Sequence, residues 1–228
     1  MWHHRERSAA RAAARVEAEG VIARRNADLV ARHGAEQAEA DAAYGALLAN
    51  DHGAVMGALE AAFEDTVHPA VPIDCVDGSA TVVVVFGPVS TMPDQVAAVT
   101  PTGRPTLHKR SAADRNALYA RALASTVLAT VRETYSVAPA LRDVRIVVLC
   151  RDADASDPSG LLAALYLGRF PAARVSAMLW DRVDPLEQLL ATPDARLRRQ
   201  GSAHQIVALP PDAVSGLAEL IEVLRASI

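Results

Sequence analysis

Three aspartates in one short segment are the residues whose type and spacing come closest to a metal site. Asp152, Asp154 and Asp157 directly follow the apolar segment 144–150. Mg²⁺ prefers oxygen ligands, and open α/β sheets bind ligands outside the carboxyl ends of their strands. The spacing therefore admits a magnesium site, and with it a metal-dependent phosphoesterase or nuclease.

Sharper versions of this site do not fit the residues. In a calcium-binding loop starting at Asp152, the sixth position should be glycine but is Asp157, and the twelfth should be glutamate but is Ala163. A phosphatase of the haloacid dehalogenase type needs a lysine further along the chain, and Lys109 is the only lysine. The Asp-x-Ser-x-Ser pattern of von Willebrand type A domains is interrupted by Pro158. We therefore favour a solvated, aspartate-rich turn and keep the metal site as the alternative.

A second candidate is a group of basic residues around the start of a predicted helix. Ser111 followed by Asp114 is a capping signal, and a helix N-terminus attracts anions through its N–H groups and dipole. Basic side chains nearby would add to that attraction, so phosphate or an acidic peptide could bind here. The alternative, which we favour, is an exposed basic loop. The five residues are Arg104, His108, Lys109, Arg110 and Arg115.

Other patterns that carry chemistry are missing. The sequence contains no Gly-x-Ser-x-Gly elbow, phosphate-binding P-loop, GxGxxG or CxxC motif, and its seven histidines are scattered. Arg196, Arg198 and Arg199 fall in the last turn of a predicted helix, where positive charge is favourable without a ligand. We predict a structural role for them.

The elements that must position these residues change character near Pro69. Residues 1–66, rich in alanine, arginine and glutamate, are predicted to form a helical arm. The arm consists of one long helix and a second helix, capped by Asp51, that packs on the domain through Val55, Leu59 and Phe63. Residues 67–228 are predicted to form a mixed α/β domain.

Charge is sorted along the arm. Residues 5–25 contain six arginines and three glutamates, whereas residues 26–65 contain one arginine, Arg32, and eight acidic residues. This order suits antiparallel pairing of two arms, or docking on another charged partner. A solvated helix whose charges only keep it soluble remains the alternative. Nucleic-acid binding is not expected, because glutamates interrupt the basic part and no aromatics lie between them.

In the domain, Asp77-Gly78 between two apolar runs predicts a tight hairpin, and the run of four valines from Val82 predicts a strand buried on both faces. A long loop over 87–110, a helix from Ser111 and a second buried strand over 144–150 follow. The remaining predictions are a strand over 161–167, short helices over 171–179, from 184 and over 192–201, and a last helix from 212. The fold class is α+β (or α/β), a small mixed sheet with helices on both faces.

Composition sets limits on the environment and on partners. The formal net charge is −4, and the two cysteines lie in apolar runs typical of buried thiols in a reducing compartment. Because no apolar segment follows the charged residues 1–7, we do not expect a secretory signal there, and the sequence has no apolar run long enough to cross a membrane. We expect a soluble cytoplasmic protein with no membrane contact and no cofactor, Mg²⁺ being the alternative.

One resemblance extends over about residues 50–190. The segment Val-Thr-Pro-Thr-Gly-Arg-Pro-Thr-Leu-His-Lys-Arg-Ser at 99–111, then Leu-Tyr-Ala at 118–120 and the strand ending at Cys150, resemble a domain of uncharacterised actinobacterial proteins. The resemblance implies a high-GC bacterial origin and a cytoplasmic setting, and it implies no activity. Our leading hypothesis is a non-enzymatic interaction or assembly protein that uses its helical arm to oligomerise or to dock a protein partner.

Overall fold

The computed structural model describes residues 2–66, 68–151 and 162–210. The chain divides into two compact units, residues 1–46 and residues 47–228. The helices are α1 Trp2–Leu48, α2 His52–Phe63, α3 Ala112–Val137, α4 Ala172–Ser176 and α5 Pro185–Leu190, and a 3₁₀ turn spans Val89–Thr91. The strands are β1 Ala70–Val76, β2 Ser79–Phe86, β3 Gln95–Val99, β4 Pro105–Lys109, β5 Asp143–Arg151, β6 Leu162–Pro171, β7 Arg196–Gln200 and β8 Gln205–Val207.

Six strands form one mixed sheet in the order β1-β2-β5-β6-β7-β8. Strands β2 and β5 are parallel, and every other neighbouring pair is antiparallel. Together with the long N-terminal helix, this sheet confirms the predicted α+β class.

The turn between β1 and β2 is the tight hairpin that its sequence predicts. Asp77 and Gly78 have φ angles of 49° and 71°, and positive φ at both central residues is the signature of a type I′ turn. The backbone oxygen of Gly78 accepts a hydrogen bond from the N–H of Arg142 at 2.7 Å. The hairpin turn is thereby attached to the chain just before β5.

Helix α3, which the sequence predicts from Ser111, lies between strands β2 and β5 in the chain, and these two strands pair in parallel. The Ser111 hydroxyl accepts from the N–H of Asp114 at 3.1 Å and donates to the Asp114 carboxylate at 2.7 Å, which caps the helix. Its inner face is buried over its whole length, from Tyr119 to Thr134, while Arg121, Ser125 and Arg132 face solvent.

Two apolar clusters lie on the sheet. The larger contains the buried side chains of α2, α3, α4 and α5 together with one set of strand residues. The smaller contains Val83, Val147 and Leu149 from the central strands, side chains of β6, and Leu209. Because neighbouring residues of β2 and β5 belong to different clusters, both faces of the central strands are buried. The predicted helix from residue 212 lies outside the described residues.

Helix α2 belongs to the second unit. Val55 and Leu59 are fully buried and Phe63 nearly so, which confirms that this helix packs on the domain. Asn50, at φ 53°, ends α1, and the carboxylate of Asp51 accepts from the N–H of Ala54 at 2.9 Å to begin α2. The two units therefore divide at residues 46/47, and not at the predicted boundary of residues 66/67, because the apolar stripe of α2 is part of the core.

The predicted loop over 87–110 contains a two-stranded hairpin, β3–β4, in addition to the 3₁₀ turn. Its turn is closed by the N–H of Thr100 donating to the oxygen of Arg104 at 2.9 Å, with Gly103 at φ 80°. Val99 and Leu107 are 70% and 65% exposed. The hairpin lacks the buried, alternating apolar pattern that sequence analysis uses to detect strands.

The helix predicted from Thr192 to near Gly201 is wrong. Asp194 adopts φ 58°, which a right-handed helix excludes, and the segment continues as strand β7, paired with β6 and β8. Arg196, Arg198 and Arg199 therefore lie on a strand, and the argument that placed them at the C-terminus of a helix does not hold.

Tyr166 occupies the space into which a side chain at position 168 would extend, so only glycine fits there. Tyr166 is fully buried on the same face of β6, and its hydroxyl donates to the oxygen of Leu189 at 3.2 Å. A methyl group on Gly168 would lie 2.6 Å from Cζ of Tyr166 and would overlap its hydroxyl. Because the ring is fully buried and its hydroxyl is hydrogen-bonded, moving it aside would disturb both the packing and that bond.

We expect Gly168→Ala to lower the free energy of unfolding by about 1–3 kcal/mol through overpacking. The matched control is Gly57→Ala on the exposed side of α2, where no atom lies within 4 Å, and which should raise stability by about 0.5–1 kcal/mol. Urea unfolding midpoints measure both changes. A stability for Gly168→Ala equal to that of the unsubstituted protein would contradict the packing of Tyr166.

Candidate functional site

The five basic residues predicted to bind an anion occupy the β3–β4 hairpin and the start of α3. Arg104 lies in the hairpin turn, His108 and Lys109 are consecutive on β4, and Arg110 and Arg115 lie where the hairpin meets the helix. Successive side chains of a strand point to opposite faces, so His108 and Lys109 do not share one. Arg104 and Arg110 are separated by the length of β4, roughly 20 Å. The five residues do not line one surface.

Two of the five basic residues lie at the base of the hairpin, where the chain enters α3. Arg110 and Arg115 are half-buried, and the Nε atom of each is buried with no hydrogen-bond partner among the described residues. At the same helix end, the Ser111 hydroxyl and the Asp114 carboxylate already occupy the capping position. An anion would therefore compete with a carboxylate. Anion binding at this pair stays a prediction.

The aspartates of the alternative metal site, Asp152, Asp154 and Asp157, lie outside the described residues. Within the described ranges, no group of three or more His, Cys, Asp or Glu side chains is arranged to hold a metal ion. The magnesium-dependent phosphoesterase or nuclease stays a prediction.

Helix α1 presents an accessible surface along nearly its whole length. Every residue from 6 to 45 is exposed, and this includes large aliphatic side chains that soluble proteins usually bury. Val16, Ile22, Leu29 and Val30 are 69%, 59%, 51% and 73% exposed. The internal contacts of this helix are short-range pairs, such as Arg15 with Glu19 at 3.3 Å and Gln37 with Asp41 at 2.8 Å.

The structure contains a groove on the outer side of α3 that the sequence does not predict. It has a volume of about 600 Å³ and lies between α3 and the segment leading into α5. Its most distinctive contact is the guanidinium of Arg132, 5.6 Å from the ring centre of Trp180, within the range of a cation–π interaction. Leu128, Val183 and Pro185 supply apolar walls. Sequence spacing contains no signal for this pairing, because the two residues come together only through the packing of α3.

Neither cysteine has the character of a nucleophile. Both are buried, and neither is in a disulfide. Burial, and next the Asp74 carboxylate, raise the pKa of the Cys75 thiol, so the reactive thiolate is disfavoured. This agrees with the prediction of buried thiols.

Three tyrosines attach helices to strands, and burial is the main reason why each has a raised pKa. The Tyr119 hydroxyl donates to the oxygen of Gly87 at 2.9 Å, and the Tyr135 hydroxyl to that of Phe170 at 2.6 Å. The pKa of Tyr119 is further raised by Cys150, and that of Tyr135 by Asp143. The pKa of Tyr166 is raised although Thr192 and Arg174 act to lower it. The environments of these phenols disfavour a tyrosinate.

Comparison of the chain with protein-family models, with curated proteins and with solved structures found no match. The resemblance to a domain of actinobacterial proteins, and the bacterial cytoplasmic setting that it implies, therefore stay predictions. In the part of the chain that the structure describes, no helix is both long enough and apolar enough to cross a membrane.

The raised tyrosine pKa values predict the alkaline limit of stability. An unfolded tyrosine loses its proton near pH 10, whereas the folded state still holds it, so the stabilisation is complete below about pH 10 and is lost as pH rises further. Each such tyrosine lowers the free energy of unfolding by up to about 1.4 kcal/mol per pH unit in this range. Urea unfolding between pH 8 and 11.5 measures the decline.

The variant Tyr135→Phe tests the assignment. It should cost about 1 kcal/mol at pH 7 because one hydrogen bond is lost, and its stability should decline less steeply above pH 10. Tyr44→Phe, which removes an exposed tyrosine of α1, is the matched control. An unchanged alkaline slope in Tyr135→Phe would contradict the role of this residue.

Proposed function

We propose that the protein is a non-enzymatic interaction or assembly protein whose helix α1 binds a helical protein partner, either a second copy or another chain. The observation that carries this proposal is the exposure of every residue from 6 to 45 in a single helix that displays large aliphatic side chains.

The thermodynamics of isolated helices support this proposal. Most helical stability in proteins comes from packing an apolar face, and not from intrinsic propensity. Within α1, the pair of Arg15 and Glu19 is 83% and 66% exposed, and exposed ion pairs of this kind contribute only about 0.2–1 kcal/mol. Gly20 and Gly34 lie within the continuous helix and weaken it, each costing about 1 kcal/mol relative to alanine. A partner that covers the aliphatic residues would supply the packing energy.

The aliphatic residues are also grouped around the helix. At 100° per residue, Val16, Ile22, Leu29 and Val30 fall within an arc of roughly 140°, while Val21, which is 50% exposed, lies roughly 80° outside that arc. Charged side chains lie beside these aliphatic residues and also between them, because Arg15 and Glu19 fall within the same arc. An interface of one helix on another fits this arrangement.

We expect the full-length protein to sediment as an oligomer or as a complex with its partner, and a version starting at residue 47 to be monomeric and folded. In the full-length chain, Ile22→Glu combined with Leu29→Glu should weaken the association at least tenfold, because two charges would enter the apolar contact. Sedimentation velocity over a range of concentrations measures both effects.

The matched control places the same two charges on the other side of the helix, as Ala10→Glu with Ala35→Glu. This control should associate as the unsubstituted protein does, and circular dichroism should show equal helix content in both double variants. If the full-length and shortened proteins both sediment as monomers, and neither retains a partner, the proposal is overturned.

A further inference from the structure

One row of residues on α1 contains both exposed aliphatic side chains and charges of opposite sign. Residues 15, 22, 29 and 36 are spaced by seven and lie within about 60° of one another around the helix axis. In order along the chain they are Arg15, Ile22, Leu29 and Glu36. All four are exposed, so the row begins with a positive charge, continues with two aliphatic side chains and ends with a negative charge on an accessible surface.

The charges and aliphatic side chains of this row are complementary to those of a second copy that runs in the opposite direction. If a second copy lies antiparallel with the two-fold axis near residues 25 and 26, Ile22 faces the partner's Leu29, and Arg15 faces the partner's Glu36. In a parallel pair in register, Arg15 would face a second arginine and Glu36 a second glutamate. Opposite charges favour the first arrangement, and like charges oppose the second.

The rest of the helix favours the same orientation. Residues 5–25 carry six arginines and three glutamates, a net charge of +3, and residues 26–48 carry one arginine and four acidic residues, a net charge of −3. The sign changes close to the two-fold axis that the apolar residues require. Val21 and Val30, which are 50% and 73% exposed, are also equidistant from this axis.

Arg15 is available for such a contact. Both side chains of the Arg15–Glu19 ion pair are exposed, so Arg15 loses little free energy when it leaves Glu19 for the partner's Glu36. We infer that the occupant of the α1 surface is a second copy of this chain, bound antiparallel through the row of residues 15, 22, 29 and 36. This inference rests on the proposed function and specifies its partner.

A charge-exchange cycle in the full-length protein tests the pairing. Arg15→Glu and Glu36→Arg should each weaken the dimer about three- to tenfold, because each places like charges together at two symmetric sites. The variant that carries both substitutions restores opposite charges across an antiparallel pair and should recover most of the affinity. In a parallel pair in register, each of these positions faces its own copy in the partner. Like charges therefore face each other in every variant, and no recovery is expected in the double variant.

Sedimentation equilibrium at low salt measures the four dissociation constants, and the differences should shrink in 0.5 M NaCl because ions screen exposed charges. Glu17→Arg, an exposed charge reversal on a different side of the helix, is the matched control. It should not weaken the dimer as the two single substitutions do. An equal loss of affinity in both single variants without recovery in the double variant would overturn the inference.

Spin-label distances measure the orientation directly. Labels are attached at Ala12→Cys or Ala23→Cys, in full-length protein whose buried Cys75 and Cys150 are replaced by alanine and whose fold is checked by circular dichroism. In an antiparallel dimer, labels at position 12 should be about 40 Å apart and labels at position 23 roughly 10–20 Å apart. A parallel dimer would give short distances at both positions.

Each outcome has a separate meaning. A long distance at position 12 with a short one at position 23 supports the inference. Short distances at both positions overturn the antiparallel arrangement and leave the proposed function standing. A monomer that retains another protein through α1 also overturns the inference alone, whereas a monomer without any partner overturns the inference and the proposed function together.

Discussion

The parallel pairing of β2 with β5 is the constraint on which the rest of the domain depends. It extends without interruption from Ser79 opposite Asp143 to Phe86 opposite Cys150. Parallel neighbours cannot be joined by a tight turn, so the chain between them must return across the sheet. Helix α3 makes most of that return, and the β3–β4 hairpin occupies the remaining length. Strands β1 and β6 then add on either side of this pair.

Helix α3 also supplies the polar contacts that hold distant segments in place. Its Tyr119, Tyr135 and Asn116 side chains donate to the backbone oxygens of Gly87, Phe170 and Ala203, at the end of β2, in β6 and in the turn between β7 and β8. The side chains of Asn116 and Tyr119 are buried and that of Tyr135 is half-buried, so these hydrogen bonds are at least partly shielded from water. The helix thus determines where three separate parts of the domain lie, and its outer side remains available for the groove at Trp180.

Helix α1 is stabilised by different interactions from those of the second unit. The second unit is stabilised by burial, whereas residues 6–45 are exposed and rely on helix propensity and on pairs three or four residues apart. Such a helix gains most from a partner that covers its aliphatic residues. The sorted charges make this gain dependent on orientation, which is the kind of specificity that exposed charges provide best. Assembly is therefore the function that we propose, and antiparallel pairing with a second copy is its most specific form.

The sequence by itself determined the features whose causes are local. The Asp77-Gly78 turn, the caps at Asp51 and Ser111, the buried valine run of β2 and the long helix α1 each follow from a few neighbouring residues, and the structure contains all of them. Only the tertiary structure decided the features that depend on distant contacts. The arginine-rich segment 196–200 is a strand because β6 and β8 pair with it, although its composition suits a helix equally well. The β3–β4 hairpin is exposed and lacks the apolar alternation that reveals strands. The basic residues are close in sequence but are separated in the structure because β4 extends between them. Local hydrogen bonds and turn conformations are encoded residue by residue, whereas pairing partners and converging side chains are chosen by the whole sheet.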